Sequence, residues 1–267
     1  SFFHIAGFTP LSEERKKELR QQVEREMEDG RFRFYNPDFL NNNAHHRDHT
    51  SNNMTRYGGD STDAGDLTLA ETSTRREIWD LLRYLRATAP EFADAYIQQS
   101  SVQVGPRESR QVVGPYALTG DDVHRGKKFE DAIARGSWWI DIHCPLGNTY
   151  PVHLCTVECP KGAECPFWAA EHENMRSRRE LYPPKGDWYD IPYRSLLSVQ
   201  TPNLLASGRC ISATHEGMAG ARVMGTCIAV GQAAGTAAAL AVAAGVDPAA
   251  VDVRALQEVL RADGALV

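Results

Sequence analysis

Residues 203–240 read NLLASGRCISATHEGMAGARVMGTCIAVGQAAGTAAAL and have the clearest order in the chain. Residues 203–209 predict a short buried strand that ends in a glycine turn, and a loop over 210–225 follows. A long helix is then predicted over Thr226–Ala244. The unpaired N–H groups at the start of such a helix, together with its dipole, favour a phosphate or a polarised carbonyl, and Arg222 adds positive charge there. The alternative is a buried helix packed on a sheet.

This predicted helix is rich in small residues and lacks charge. No charged residue occurs between Cys227 and Val246, a stretch long enough to span a membrane. Ala and Gly dominate it and contribute little transfer free energy, so we expect a tightly buried helix and no membrane span. Gly231 and Gly235 lie four residues apart. That spacing lets another backbone approach the helix closely.

Four stretches, in their order along the chain, resemble the motifs of one family. Residues 203–240 resemble the C-terminal flavin-binding segment of the FAD-dependent oxidoreductases, in the branch with the pattern GRCISATHE, RVM and GQAAGTAAAL. Residues 105–119 (GPRESRQVVGPYALT) resemble the RESR motif of that branch. Two further motifs match, one at residues 131–136 followed by 140–143 and one at residues 189–194. Four motifs in the family's order make the resemblance more specific than a lone small-residue helix would.

The resemblance implies that the cofactor is FAD and that this part of the chain lies at its flavin end. The residues it places against the cofactor are Gly208, Arg209, Ser212, Arg222, Val223, Met224 and Thr226. The helix from Thr226 would direct its N-terminus at the pyrimidine carbonyl of the flavin, where a positive helix end stabilises the anionic reduced form. The candidate catalytic residues, at the flavin or the substrate, are His143, His215 and Arg107.

One half of the family's cofactor site is missing from the sequence. Such enzymes carry G-x-G-x-x-G after their first strand to bind the ADP half of FAD. Gly58-Gly59 and the pair Gly217 and Gly220 are the nearest candidates, and neither has this fingerprint. We therefore expect a partner chain to carry the N-terminal Rossmann half. The chain begins at Ser1 and not at Met, which favours a processed chain or a piece of something longer.

The predicted fold class is α/β, with an α+β substrate part joined to the C-terminal part of a two-dinucleotide-binding-type FAD domain. The Rossmann N-terminal half of that domain is the part expected to be missing. Residues 1–190 form the predicted substrate or cap part, with a cysteine-rich, irregular insertion at about 144–185. Residues 191–267 form the predicted C-terminal part of the FAD-binding domain.

Periodicity gives a coarse prediction of elements elsewhere. A helix opened by Thr9-Pro10 is predicted to run to residue 29, with Leu19, Val23 and Met27 in a narrow apolar stripe. Further helices, each with one apolar face, are predicted at 67–88 and 253–262, and a shorter helical piece is predicted to about residue 98. Strands are predicted at 100–104 and 137–142. Residues 36–66 are rich in Asn, His, Asp, Ser and Gly and predict a long loop.

Four of the six cysteines lie close together in sequence, at Cys144, Cys155, Cys159 and Cys165. They lack the C-x₂-C pair typical of zinc and iron–sulfur sites. Three states stay open for them: a structural zinc site, two disulfides in an exported protein, or free thiols. We expect a cytoplasmic protein unless these cysteines form disulfides.

A histidine-rich segment, HHRDH at residues 45–49, is a second candidate metal site by composition. Adjacent histidines on a rigid element do not easily share one metal, and the surroundings are rich in Asn. A contact with substrate and a solvated loop are the alternatives for this segment.

The composition bounds the function. The chain has 267 residues, 42% of them apolar and 24% charged, with a net charge of −6. These values exclude a fibrous or wholly disordered chain and give no broad electrostatic footprint for nucleic acid. The predicted function is hydride transfer between a small organic substrate and FAD, with a nearby His or Arg handling the proton or oxyanion. The alternatives are a flavin-free interaction subunit and a metal-binding protein built on the cysteine segment.

Overall fold

A computed structural model describes residues 2–40, 46–144, 154–159, 161–165 and 175–267. The chain divides into two compact units. The first unit takes in the described residues of 1–106 and 143–153, and the second those of 107–142 and 154–267. The combination of helices with small sheets agrees with the predicted α/β class. The functional division at 190/191 stays a prediction.

The first unit is built on a three-stranded antiparallel sheet with β1 (Phe2–Ala6) at its centre. Strand β2 (His49–Asn53) pairs with one edge of β1 and β3 (Tyr96–Ser100) with the other. Alternation along β1 turns Phe3 and Ile5 into the core, where both are fully buried.

Strand β2 lies inside the segment predicted to be a loop, so that prediction is wrong there. The inward-facing side chains of β2 are polar and find partners inside the protein. The side-chain amide of Asn52 donates to the Thr50 hydroxyl at 2.6 Å and to the carbonyl of Phe3 at 3.4 Å. A strand whose buried face is polar has no hydrophobic alternation for sequence reasoning to detect.

Two long helices pack on this sheet. Helix α1 (Glu13–Glu28) begins after the N-cap Ser12 instead of at the predicted Thr9-Pro10, and it buries the predicted stripe of Leu19, Val23 and Met27. Helix α2 (Ala64–Thr88) is capped by Asp63, and its apolar face is buried as predicted. The shorter helical piece is confirmed only as the 3₁₀ turn Pro90–Phe92. Its extension to residue 98 and the strand at 100–104 are wrong, because β3 occupies Tyr96–Ser100.

The second unit surrounds a two-stranded antiparallel sheet with short and long helices. Its elements are α3 (Gly120–His124), β4 (Ala132–Gly136), β5 (Tyr189–Pro192), α4 (His215–Ala221), α5 (Met224–Ala244) and α6 (Val253–Ala262). Helix α6 confirms the prediction. The strand predicted at 137–142 is wrong, since β4 ends before it. The strand predicted at 203–209 is also wrong, because Leu204 is 43% exposed and Gly208–Cys210 forms a 3₁₀ turn.

Helix α5 is buried along one face only, so the prediction of a tightly buried helix is wrong. Val230, Ala233, Ala237 and Ala241 lie in the core of the second unit. The opposite face is open and apolar: Met224 is 81% exposed, Ile228 71% and Val242 83%. In the described part of the chain, α5 is the one helix long and apolar enough to cross a membrane, by length and composition only. The core helix of a globular protein passes the same test, so the absence of a span stays a prediction.

A buried carboxylate within α3, that of Asp122, makes stability depend on pH. Burial on its own would raise the pKa of Asp122, but hydrogen bonds from Tyr116, Thr119 and Lys127 outweigh burial and hold the pKa below its ordinary value. The Tyr116 hydroxyl donates at 2.7 Å and the Thr119 N–H at 2.8 Å. A lowered folded-state pKa contributes stability above the unfolded pKa, and that stability is lost as pH falls through the folded pKa.

We therefore expect Asp122→Asn to lower the free energy of unfolding by about 2 kcal/mol at pH 7, because hydrogen bonds to a charged group are lost. The difference from wild type should shrink as pH falls below the ordinary carboxyl range, measured by urea unfolding at several pH values. The matched control is Asp80→Asn. It removes an exposed Arg83 ion pair and should cost less than about 1 kcal/mol. A constant difference between wild type and Asp122→Asn at all pH values would contradict this assignment.

Candidate active site

Two of the stretches that resemble the family lie side by side in the second unit. The N–H of Val112 donates to the carbonyl of Cys210 at 2.9 Å, and the N–H of Leu118 to that of Ser212 at 3.0 Å. In the other direction, the N–H of Thr214 donates to the carbonyl of Leu118 at 2.8 Å. This backbone pairing holds the RESR motif against the loop that leads into α4.

Glu108 links the two stretches through its side chain. Its Oε2 lies 2.8 Å from Nδ1 of His215 and 3.6 Å from Nη1 of Arg222, and its Oε1 accepts from Gln111 at 3.2 Å. His215 is the first residue of α4, and its side chain is 54% exposed. An imidazole oriented by a carboxylate and open to solvent can take up or release a proton at its other nitrogen.

The third member of this cluster, Arg222, is largely buried. The Arg222 side chain is 9% exposed, and its Nη2 donates to the backbone carbonyl of Asp141. Arg107 pairs with the Asp141 carboxylate at 3.0 Å. Burial, followed by the nearby charge of Arg107, lowers the pKa of Arg222, while Asp141 and Glu108 act in the opposite direction. A site with buried positive charge favours a ligand that carries or develops negative charge.

The N-terminus of α5 follows directly after Arg222. Val223 is its N-cap, and among the described residues no side chain caps its first N–H groups. Met224 is exposed, and, apart from the chain neighbours of Gly225 and the backbone of α5 itself, no atom of the described residues lies within 4 Å of where a Cβ on Gly225 would sit. Thr226 is 6% exposed and points into the protein. Open N–H groups at a helix start attract negative charge.

Gly208 and Arg209 form a turn beside α5. Gly208 has φ +61°, a left-handed conformation that favours glycine. Its Cβ position would lie 3.9 Å from the Cys227 side chain. Arg209 is exposed, whereas Ser212 is buried, with its N–H bonded to the carbonyl of Ser195 at 2.8 Å. Ser212 therefore lies on the buried side of the turn, and Arg209 lies on the side exposed to solvent.

A buried ion pair fixes α4 in place. Nε of Arg176 lies 3.0 Å from the carboxylate of Glu216, and its Nη2 lies 2.8 Å from that of Asp121. Burial raises the pKa of Glu216 even though Arg176 acts against it. Because Glu216 directly follows His215, this pair holds the imidazole in position opposite Glu108.

Comparison with known families decides the class of protein. A family model described as FAD dependent oxidoreductase matches residues 4–260. The chain belongs to the FAD-dependent oxidoreductase family. Searches of curated proteins and of solved structures found no significant match. Family membership confirms the expected flavin-dependent redox class and FAD as its cofactor.

The residues at the start of α5 are chemically suited to hold part of an FAD molecule. The fit rests on an uncapped helix N-terminus, a Gly225 position with open space before it, and the buried guanidinium of Arg222. Together they offer hydrogen-bond donors and positive charge to a polarised ring carbonyl. The contacts predicted for Gly208, Arg209, Ser212, Val223, Met224 and Thr226 stay predictions at the level of single residues.

His143 lies in the first unit of this oxidoreductase, and the other two candidate catalytic residues, His215 and Arg107, lie in the second. The ring of His143 packs edge-on against Tyr35, with the centroids 5.6 Å apart. The catalytic role of His143 stays a prediction.

The predicted zinc site on the four clustered cysteines gains no support. All six cysteines of this flavoprotein lie among the described residues, and no disulfide bond links any two of them. Within the described ranges, no group of three or more His, Cys, Asp or Glu side chains could hold a metal ion. The spacing of the cysteines had already lacked a C-x₂-C pair. His45 and His153 lie outside the described residues.

Two acidic residues of the cluster, Glu108 and Asp141, were not among the candidate site residues predicted from the sequence. Glu108 belongs to the RESR motif and Asp141 to the stretch at 140–143, so the motifs contained the signal. Their roles depend on which cations they meet, Glu108 on His215 and Asp141 on Arg107. Sequence spacing does not reveal contacts between residues more than 30 positions apart.

Proposed function

We propose that this chain supplies the flavin-ring end of the FAD site in an oxidoreductase that transfers hydride between a small organic substrate and FAD. When bound, FAD would supply the hydride acceptor or donor for this reaction. The single observation that carries the proposal is the cluster of Glu108, His215 and buried Arg222 at the uncapped start of α5.

Three side chains in or next to this cluster, those of His215, Arg222 and Arg107, have separate roles in this proposal. His215, oriented by Glu108, exchanges a proton with the substrate, since its ring is exposed and held at 2.8 Å by the carboxylate. Arg222 and the α5 N-terminus stabilise negative charge on the cofactor side. Arg107, half-exposed and held by Asp141, is placed to bind an anionic group of the substrate. A catalytic role for His143 is proposed from the family resemblance alone.

We also propose that a partner polypeptide carrying the Rossmann half completes the FAD site. Two observations support it besides the missing fingerprint. Both sheets formed by the described residues are antiparallel, whereas a dinucleotide-binding half needs a parallel one. The open face of α5 is apolar, and no atom of the described residues lies within 4 Å of a Cβ placed on Gly231 or Gly235. A bare apolar face with glycines suits close approach by another element.

A charged substitution on the open face of α5 tests whether the partner polypeptide binds there. Ile228→Glu should weaken association at least tenfold, because a carboxylate buried at an apolar contact is costly to desolvate. The matched control is Val102→Glu, at a position 94% exposed in the first unit, which should leave association unchanged. Co-purification of a tagged chain with its bound polypeptides, quantified by mass spectrometry, measures the effect. Equal recovery with both variants would contradict the proposed partner surface.

The cofactor assignment is tested by the flavin absorbance band at about 450 nm, measured on the assembled complex. A yellow complex with one FAD for each copy of this chain is expected. A colourless complex would contradict the enzymatic proposal and favour a flavin-free interaction subunit.

A further inference from the structure

Strands β1 and β2 bring two histidines to the outward face of the sheet in the first unit. His4 lies in the middle of β1 opposite Ser51, and His49 is the first residue of β2, opposite Ala6. Residues two apart on a strand share a face, so His49 is the diagonal neighbour of His4. Phe3 and Ile5 point to the other side and are fully buried.

The two imidazole rings meet through their nitrogens. Nδ1 of His4 lies 3.0 Å from Nε2 of His49. The ring centroids are 5.2 Å apart and the ring planes are inclined at 82°. At this separation one ring can donate a hydrogen bond to the other. Two unprotonated ring nitrogens at the same spacing can instead act as ligands of one metal ion.

We propose that His4 and His49 form a two-histidine site for a divalent transition metal of the Ni²⁺, Cu²⁺ or Zn²⁺ type. Imidazole nitrogen is a preferred ligand for all three ions. Two nitrogens at metal-bond length lie about 2.9 Å apart at a right angle and about 3.4 Å apart at a tetrahedral angle. The observed 3.0 Å spacing is close to the right-angle value, which tetragonal Ni²⁺ and Cu²⁺ sites use.

Water fills the remaining positions in this proposal, because the described residues hold no group of three or more ligating side chains. Such a site binds more weakly than a closed structural zinc site. It joins two neighbouring strands and is independent of the cysteine segment. Part of the histidine-rich segment at 45–49 thus acquires a role together with a strand that sequence analysis did not detect.

Titration of the full chain with Ni²⁺ in a non-coordinating buffer tests the proposal by calorimetry. Wild type should bind one equivalent. His4→Gln and His49→Gln should each weaken binding at least tenfold, because glutamine keeps a hydrogen-bonding group but is a poor ligand for this metal. The matched controls are His46→Gln, near the same strand, and His124→Gln in the second unit, and both should bind as wild type does.

A second measurement avoids the risk that a variant fails to fold. In wild type, Ni²⁺ should protect His4 and His49 from modification by diethyl pyrocarbonate, read peptide by peptide by mass spectrometry, while His46 and His124 stay reactive. Binding of Ni²⁺ should also raise the unfolding temperature of wild type. No stoichiometric binding by wild type, equal binding by His49→Gln, or equal protection of all histidines would each overturn the proposal in favour of a proton-sharing pair.

Discussion

We expect Arg222→Ala to lower the midpoint potential of the FAD in the assembled oxidoreductase by about 60 to 90 mV. Removing one buried donor from a site of developing negative charge costs about 2.7–4 kcal/mol, and about 1.4 kcal/mol corresponds to 30 mV for a two-electron couple. Arg222 is suited to this role because its side chain is 9% exposed and precedes the uncapped start of α5.

Two controls separate this effect from general damage. Arg222→Lys keeps the charge and should restore most of the potential, although it loses the bond to the Asp141 carbonyl. Arg125→Ala removes a side chain that is 74% exposed, and it should leave the potential unchanged. Potentials measured by spectroelectrochemistry on complexes with full FAD content check the expectation. A wild-type potential in the Arg222→Ala complex would show that this guanidinium does not face the flavin.

The second large effect concerns the stability of the second unit. Gly217→Ala should lower its free energy of unfolding by about 3 kcal/mol or more, because overpacking against backbone leaves little room to relax. A Cβ on Gly217 would lie 2.0 Å from the carbonyl oxygen of Leu118. That carbonyl also accepts the Thr214 N–H, so the new methyl would force apart the paired stretches that position Glu108 and His215.

A glycine-to-alanine substitution on the open face of α5 gives a matched control. No atom of the described residues lies within 4 Å of a Cβ on Gly235, so Gly235→Ala should raise stability by about 1 kcal/mol through better helix propensity. Urea unfolding of both variants measures the two effects. A loss below about 1 kcal/mol for Gly217→Ala would contradict the packing described around α4.

The sequence predicted the parts of the fold whose signals are local. The apolar stripes of α1 and α2, the stop of α5 at Gly245 and the amphipathic α6 all follow from periodicity and capping. The strands were harder to predict. β2 buries polar residues, and the stretch at 203–209 reads as a buried strand although Leu204 is exposed. Strand formation depends on neighbours distant in sequence, which periodicity does not report.

The candidate site was predictable as a set of residues but not as a set of contacts. Motifs named Arg107, His215 and Arg222 together, and all three lie in the second unit. The connecting carboxylates of Glu108 and Asp141 became visible only through long-range pairing. Of the histidine pair on β1 and β2, only His49 lies in a segment that the sequence singled out, and its pairing with His4 depends on strand register.

The most direct test of the central claim is native mass spectrometry of the purified protein together with its flavin absorbance. A chain that supplies only the flavin end of the site should carry stoichiometric FAD within a complex that also contains a second polypeptide with the Rossmann half. A lone 267-residue species with one bound FAD would contradict the claim.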